Sequence, residues 1–500
     1  MADDVNVPEI GDDIVTPAIE SGTMNHLNPI PAQAKHMEPL NFPAERVEDW
    51  EAKGIEKFGD LLSKYRSLQV FMDICVKCGS CTDKCHYFLG TQDPNNMPVQ
   101  RAELMREVYR RYFTPGGKMF PDLVKASDFN EETLDKWFTY FHQCSQCRRC
   151  SVFCPYGIDT AEVSMAAREL MDSIGVGHKY TTEIVAKVHS MGNNLGIPKP
   201  ALEGTLQFLE DDILDQTGHE VKLPLDQAGA DVLLIPPSAD FFSAPHVDSL
   251  MGYAKVFHQA GISYTISSVA SEAANFGMFI GNFDQMQQIA KRISDQAREM
   301  GVKRIVVGEC GHAWRVAYSF WNTLNGPFDY LDPNYPVPQH ICEFTHDLYQ
   351  RGALTMDPTA NDDKIITFHD SCNVARASRM GSNPGGQFTI PRDLIRASAN
   401  RFVDMDPDTI HEKTFCCGGG GGLLTDELMD LRIKGVMPRV TALKQVMEED
   451  NVNFLALICA ICKAQFTKVL PYYDIPMDMV GGVHQLVSNA IQLGSKKGVV

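Results

Sequence analysis

Between Glu51 and Gly177, apolar residues recur three and four positions apart in four stretches: EKFGDLLSKYRSLQVFMD (56–73), PVQRAELMREVYRRYF (98–113), EETLDKWFTYFHQ (131–143) and TAEVSMAARELMDSI (160–174). This period lines one face of a helix, and the last stretch is entered through Asp159 with Glu162 three residues on, an N-cap signature. A helical domain over 46–200 is expected. After the Gly/Pro-rich passage GNNLGIPKP (192–200) the pattern changes to short apolar runs alternating with helical stretches. DVLLIP, ISYTISSV and KRIVVG read as strands, separated by the helices DSLMGYAKVFHQA and FDQMQQIAKRISDQAREM. In a second set KIITFH, EKTF and VNFLALI read as strands, separated by RDLIRASANRF and LLTDELMDLRIKGVMPRVTALKQVMEE. The alternation predicts α/β architecture with largely parallel strands.

The two sets align as a diverged repeat, spanning 225–360 and 361–495. IPPSAD (235–240) lies over FHDSCN (368–373), and VVGECGHA (306–313) over LALICAIC (455–462). Cys310 then matches Cys459, while Ala239 and Ala313 stand where the second copy has Cys372 and Cys462. Residues 1–45, with six prolines and many acidic residues, read as an extended arm, either a frayed terminus or a segment that orders along a partner.

Lys plus Arg is 45 and Asp plus Glu is 64, a formal charge of −19 that repels polyanions and argues against nucleic-acid binding. No run of 18 apolar residues appears, and the first residues have neither the basic nor the apolar region of an export signal. In a reducing cytosol the fifteen cysteines read as metal ligands or catalysts and not as disulfides.

Cys75, Cys78, Cys81 and Cys85 have the spacing C-x2-C-x2-C-x3-C, and Cys144, Cys147, Cys150 and Cys154 repeat it, with Pro155 completing the bacterial ferredoxin form. In such pairs three thiolates wrap one 4Fe-4S cube and the fourth reaches to its neighbour. The expected ligand sets are therefore Cys75, Cys78, Cys81 and Cys154 for one cluster, and Cys144, Cys147, Cys150 and Cys85 for the other. Zinc is the rival, but zinc sites use separated pairs and not tight quartets. His86 stands where the first run lacks its proline. Arg148 and Arg149, inside the second run, read either as charges that raise a cluster's potential or as a solvated or docking pair.

Five more cysteines group near the C-terminus: Cys372, Cys416 and Cys417 followed by Gly418 to Gly422, and Cys459 with Cys462. Each follows an expected strand, and the carboxyl ends of parallel strands line one crevice. Gly418 and Gly419 let the backbone approach bulky sulfides and turn N–H groups toward their charge. A nucleotide loop is excluded, since GGGGGLLT lacks the Lys-Ser/Thr end of a P-loop and Leu423 replaces the last glycine of a dinucleotide fingerprint.

The pattern Cys372, Cys416-Cys417-Gly418, Cys459-x2-Cys462 resembles the CCG domain of the heterodisulfide reductase family, over about residues 60 to 490. The resemblance implies an oxidoreductase of α plus α/β fold, with a ferredoxin-like two-cluster domain and a duplicated CCG domain. It also implies that the five cysteines hold a non-cubane 4Fe-4S cluster which cleaves a disulfide. More narrowly, GECGHAWR and HDSCNVAR resemble the catalytic subunits of Dsr membrane complexes, the DsrK family of sulfate reducers. That implies electrons from menaquinol through a membrane haem b subunit of DsrM type and other Dsr subunits. The acceptor would be the disulfide or trisulfide of a small DsrC-type sulfur carrier, and the chain would lie in the cytoplasm against the membrane's inner face. Since only one CCG motif is intact, the degenerate copy is expected to shape a cleft for a cysteine-bearing protein arm, with Cys310 facing the cluster. A small buried thiol is the bland alternative for Cys310, and more so for Cys342. His312 and His369 read as structural or as proton relays. A non-catalytic role, as in the iron-sulfur subunits of 2-hydroxyacid or glycerol-3-phosphate oxidoreductases, is the remaining alternative.

Overall fold

The computed structural model describes residues 29–273 and 275–494, which form two compact units. The first runs to Ala186 and includes Phe276–Phe283 and Phe415–Thr441; the second contains Lys187–Asn275, Asp284–Thr414 and the chain from Ala442. Residues 415–441, read from sequence as part of the intact repeat, thus cluster with the helical unit.

The helical unit is built from Trp50–Lys64, Arg66–Asp73, Pro98–Phe113, Glu131–His142 and Thr160–Ser173. Their apolar faces meet in a core around Phe58, Met105, Val108, Trp137, Phe141 and Met171. Trp137 packs edge-on against Phe58 and Phe141, with centroids 6.2 and 5.4 Å away, and its indole N–H donates to Leu104 O at 3.1 Å. Sequence joined 56–73 into one helix, but Tyr65 adopts an extended conformation (φ −112°, ψ 93°) and divides it in two. The Asp159 cap holds, its carboxylate accepting from Ala161 N at 2.9 Å.

Residues 1–28 of the expected arm lie outside the described residues. Residues 29–45 are not extended. Pro31 bridges to His178, Ala32 N donates to Gly177 O at 2.8 Å, and Ala34–Met37 forms a short helix that buries Met37.

The second unit holds two parallel sheets. The first has the order β2-β1-β3-β4, formed by β1 (Val232–Ile235), β2 (Tyr264–Ile266), β3 (Arg304–Val307) and β4 (Gln339–His340). The other has the order β5-β6-β7, with β5 (Ile366–His369), β6 (Phe454–Leu457) and β7 (Val480–Gly482). The runs β1-β3-β4 and β5-β6-β7 repeat each other, with β1 over β5 and β3 over β6 as the repeat alignment pairs them. Helices His246–Ala260 and Val483–Ala490 pack closely, a Cβ at Gly252 falling 2.1 Å from His484 O.

EKTF is not a strand. His411–Lys413 is a 3-10 turn, and side chains bind this stretch: Thr414 Oγ1 donates to Asp370 O at 3.0 Å, and Arg376 donates to Thr414 O at 2.8 Å. The strand beside β6 is β7. The helix read from Leu423 begins at Met429, and that read over 392–402 runs Gly386–Ser398, leaving Phe402 to bridge Ile366. GNNLGIPKP forms the turn between helices Lys179–Met191 and Lys199–Thr217, the second starting within it. Among the described residues no helix is long and apolar enough to cross a membrane.

Candidate iron-sulfur and disulfide site

In the helical unit, Cys75, Cys78, Cys81 and Cys154 line one cavity, and Cys85, Cys144, Cys147 and Cys150 line another, with Cys150 reaching both. The fourth cysteine of each run faces the cavity of the other. The two loops share one backbone pattern. Lys77 and Gly79 in the first run, and Gln146 and Arg148 in the second, have φ of 56°, 82°, 56° and 62°. Left-handed turns at alternate positions aim backbone N–H groups into a concavity, as anion-binding nests do. Three of these residues are not glycine, so each conformation costs about 1 kcal/mol. Loops, thiols and concavities fit iron-sulfur clusters.

The surroundings of the two cavities differ. Cys78 is exposed, and Val76 and Tyr156 beside it are 60% and 47% exposed, so the first cavity stands at the surface. Cys85 and Cys144 are buried, and so is the Arg101 guanidinium, which donates to Asn96 Oδ1 at 2.6 Å and Tyr140 O at 2.8 Å. Burial disfavours that cation, but the Cys144 and Cys85 sulfurs more than compensate and raise its pKa. The two arginines of the second run differ: the Arg148 side chain is 29% exposed and Arg149 is buried. Arg148 pairs with Asp159 at 2.5 Å, tying the run to a helix N-cap, and Arg149 is buried with its guanidinium 3.8 Å over the Phe415 ring.

Phe415 leads directly into Cys416 and Cys417, both buried, and the glycines after them run against the second quartet. Gly418 N donates to Cys416 Sγ at 3.4 Å, and Gly418 O accepts from Tyr87 at 2.6 Å. Gly419 is buried next to it. At Gly421 (φ +66°) a Cβ would stand 2.6 Å from Cys144 O, an approach that only glycine permits. Arg168, wholly buried, donates to the carbonyls of Phe141, Cys144, Phe279 and Gly421. His86 joins the same parts. Its Nδ1 donates to Gly435 O at 2.7 Å and its Nε2 accepts from Ser145 at 2.8 Å. Burial opposes its protonation, but the Cys416 sulfur, within hydrogen-bonding reach, raises its pKa. The residue in place of the ferredoxin proline thus connects Cys85 to Cys416 by chain and ring. Its departure from the proline pattern was legible in sequence, but the roles of Arg168 and Arg101 were not.

In the second unit the ends of β3, β5 and β6 carry the other thiols. Cys310, Cys459 and Cys462 converge: the Cys310 and Cys462 thiols lie within hydrogen-bonding reach of Cys459 Sγ, and His312 Nδ1 lies 3.8 Å from it. Burial resists ionisation of Cys459, yet these three neighbours hold its thiol well below the ordinary range, while the same contact pushes Cys310 well above it. Cys372 opens the helix after β5, whose register with β6 pairs His369 with Leu457. Its neighbour Ser371 lies against Gly311, where a Cβ would meet Ser371 Oγ at 2.1 Å. His369 packs edge-on against Phe466. Cys342 is buried, with Glu309 and His484 ligand atoms all within 4.8 Å. Lys463 Nζ, however, is 2.6 Å from Glu309 Oε2, so the cation there is an ammonium and the group is an ion-pair network.

Two ferredoxin-type cavities in a helical unit, and cysteines at the carboxyl ends of parallel strands, define an iron-sulfur oxidoreductase. Residues 71–158 match the 4Fe-4S dicluster domain and residues 366–467 the cysteine-rich CCG domain. The chain is 41% identical over 474 residues to "Hdr-like menaquinol oxidoreductase iron-sulfur subunit 2" of Archaeoglobus fulgidus, covering 89% of this chain and 84% of that one. It is 40% identical over 476 residues, with the same coverage, to the corresponding protein of Archaeoglobus profundus. One polypeptide of the dihydromethanophenazine:CoB–CoM heterodisulfide reductase of Methanosarcina mazei is 23% identical over 85% of this chain and 95% of its own. The chain belongs to the family of Hdr-like menaquinol oxidoreductase iron-sulfur subunits, and it transfers electrons through iron-sulfur clusters.

Proposed function

We propose that the chain is the catalytic subunit of a menaquinol-linked membrane complex, with a role of DsrK type. Electrons from a DsrM-type haem b subunit enter at the exposed quartet Cys75, Cys78, Cys81 and Cys154 and move to the buried quartet Cys144, Cys147, Cys150 and Cys85. Both quartets would hold cubane 4Fe-4S clusters. Cys372, Cys416, Cys417, Cys459 and Cys462 would hold a third, non-cubane 4Fe-4S cluster, at which the disulfide or trisulfide of a DsrC-type carrier is reduced. When bound, that group supplies single electrons to a reaction consuming two. The chain would act in the cytoplasm, peripheral at the membrane through its partners.

The observation that carries this reading is the seating of the Cys416-Cys417 loop against the second quartet through His86, Tyr87 and Arg168. Further support comes from the cysteine-rich match, which spans all five cysteines. The chain's own residues do the remaining work. Arg168 fixes the loop, Arg101 offsets buried negative charge, and the burial of Cys372, Cys459 and Cys462 excludes water.

The test is EPR of the anaerobically purified, oxidised complex, with and without a DsrC-type trisulfide. A changed third signal supports reduction at the five-cysteine set. An unchanged signal favours the non-catalytic relay.

A further inference from the structure

In the intact repeat the ends of β5 and β6 carry thiols; in the degenerate repeat the strand ends carry carboxyls beside a single thiol, Cys310. Asp240 follows β1, Glu272 follows β2 and Glu309 follows β3, on the carboxyl edge of the first sheet where open α/β folds place their chemistry. Asp240 takes the position aligned with Asn373. Glu309 is the charged member, held well below the usual carboxylate range despite burial by Lys463 and His484. The other two lack such a cation in contact. Asp240 is 0% exposed and neither carboxyl oxygen has a hydrogen-bond partner. Glu272 is 4% exposed and accepts from the N–H and hydroxyl of Ser238, while Ser238 Oγ accepts from Asn194 N at 3.2 Å. Asn194 is half-buried and precedes the exposed Leu195, so Ser238 stands between Glu272 and the surface.

We propose that Glu272, with Asp240 behind it, is a buried proton-donor site that the degenerate repeat has built in place of its lost cluster ligands. The inference rests on the disulfide-reductase reading. The balance is R–S–S–R′ + 2 e⁻ + 2 H⁺ → R–SH + R′–SH. The S–S bond breaks, two S–H bonds form, the electrons come from the ferredoxin clusters, and the protons leave the carboxyls and are replaced from water. The groups facing the pair are Tyr253, Lys463 and Glu309 around Asp240, and Ser238, Asn194, Asp240 and Cys310 around Glu272. Asp240 and Glu309 follow β1 and β3 on one carboxyl edge, and Glu309 O accepts from Ala460 N at 2.8 Å, between Cys459 and Cys462. Burial pushes Glu272 up to about 7, against the opposing Ser238 bonds, and pushes Asp240 well above the ordinary range. Glu272 is the donor, and it holds that proton at its carboxyl.

Two measurements on the holo-complex test this. The first is the pH profile of carrier-disulfide reduction. Wild type falls as pH rises past about 7, whereas Glu272→Gln is slower by about 100-fold at pH 6 and flat, a typical loss for general acid catalysis. Glu272→Asp recovers the slope. The second is stability against pH, read by anaerobic unfolding. A carboxyl raised from 4.5 to about 7 weakens the fold as pH climbs through that window, so Glu272→Gln gains up to about 300-fold in its folding equilibrium at pH 8 and nothing at pH 4. Identical wild-type and variant profiles in both measurements overturn the proposal. A wild-type complex that reduces no disulfide while the stability difference appears overturns the functional reading instead.

Discussion

Replacing Arg168 by Met keeps a long apolar side chain and removes every donor from the point where the glycine loop meets the second quartet. Five N–H···O contacts of 2.6–3.1 Å disappear, to the carbonyls of Phe141, Cys144, Phe279 and Gly421. Hydrogen bonds to charged groups contribute about 1.5–3 kcal/mol each, so the five together are of order 7 kcal/mol or more. Met recovers the cost of burying a guanidinium. Burial lowers the Arg168 pKa from 12.5 to about 10, and at about 1.4 kcal/mol per unit that is roughly 3 kcal/mol. The net expectation is a loss of about 4 kcal/mol. Phe141 O retains Cys144 N and Phe279 O retains Gln146 Nε2, so the damage concentrates on Cys144 and Gly421. Equilibrium urea unfolding under anaerobic conditions gives the stability, and EPR of the reduced protein gives the state of the second cluster. Arg168→Lys, with one donor nitrogen in place of a planar fork, falls between. A Met variant within about 1 kcal/mol of wild type, with an unaltered second-cluster signal, refutes this account of the loop.

The remaining predictions concern other contacts. Gly421→Ala is far more destabilising than Gly157→Ala in thermal unfolding, because both have φ near +67° but only Gly421 has backbone 2.6 Å from the added Cβ, while Gly157 has nothing within 4 Å. Lys463→Met costs about 3–5 kcal/mol by stranding the Glu309 charge, and Lys463→Met with Glu309→Gln recovers part of it in a double-mutant cycle. Because the folded Glu309 pKa lies below 4.5, its stabilisation is full above that pH and fades below it in wild type, which acid titration of the two proteins reads.

How much of this was legible in sequence follows from the range of each contact. The cysteine quartets are local, since loops of two and three residues fix their geometry, and the crossed fourth cysteine could be read from the doubling alone. The repeat could also be read, because the apolar residues of β1 and of β5 (Ile366 and Phe368) each lead into a chemically active turn. EKTF misled because four residues carry too little period to separate a strand from a turn held by Thr414 and Arg376. The helix Lys199–Thr217 is marked by Leu202, Leu206, Leu209 and Ile213, spaced four and three apart, and the prolines at 198 and 200 start it. The long-range contacts of Arg168, His86 and Glu272 were out of reach, although His86 itself stood out as the break in the first run. Arg168 is 253 positions from Gly421, His86 is 349 from Gly435, and Glu272 is 34 from Ser238, so no local pattern marks them.

The central claim is that the ferredoxin pair feeds a third cluster at Cys372, Cys416, Cys417, Cys459 and Cys462. Iron and acid-labile sulfide, measured together on the anaerobically purified wild-type protein and on its Cys459→Ala variant, test it most directly. The account predicts about twelve irons per wild-type chain and about eight in the variant, with sulfide in equal number. About eight irons in both proteins, or zinc without sulfide, would contradict it.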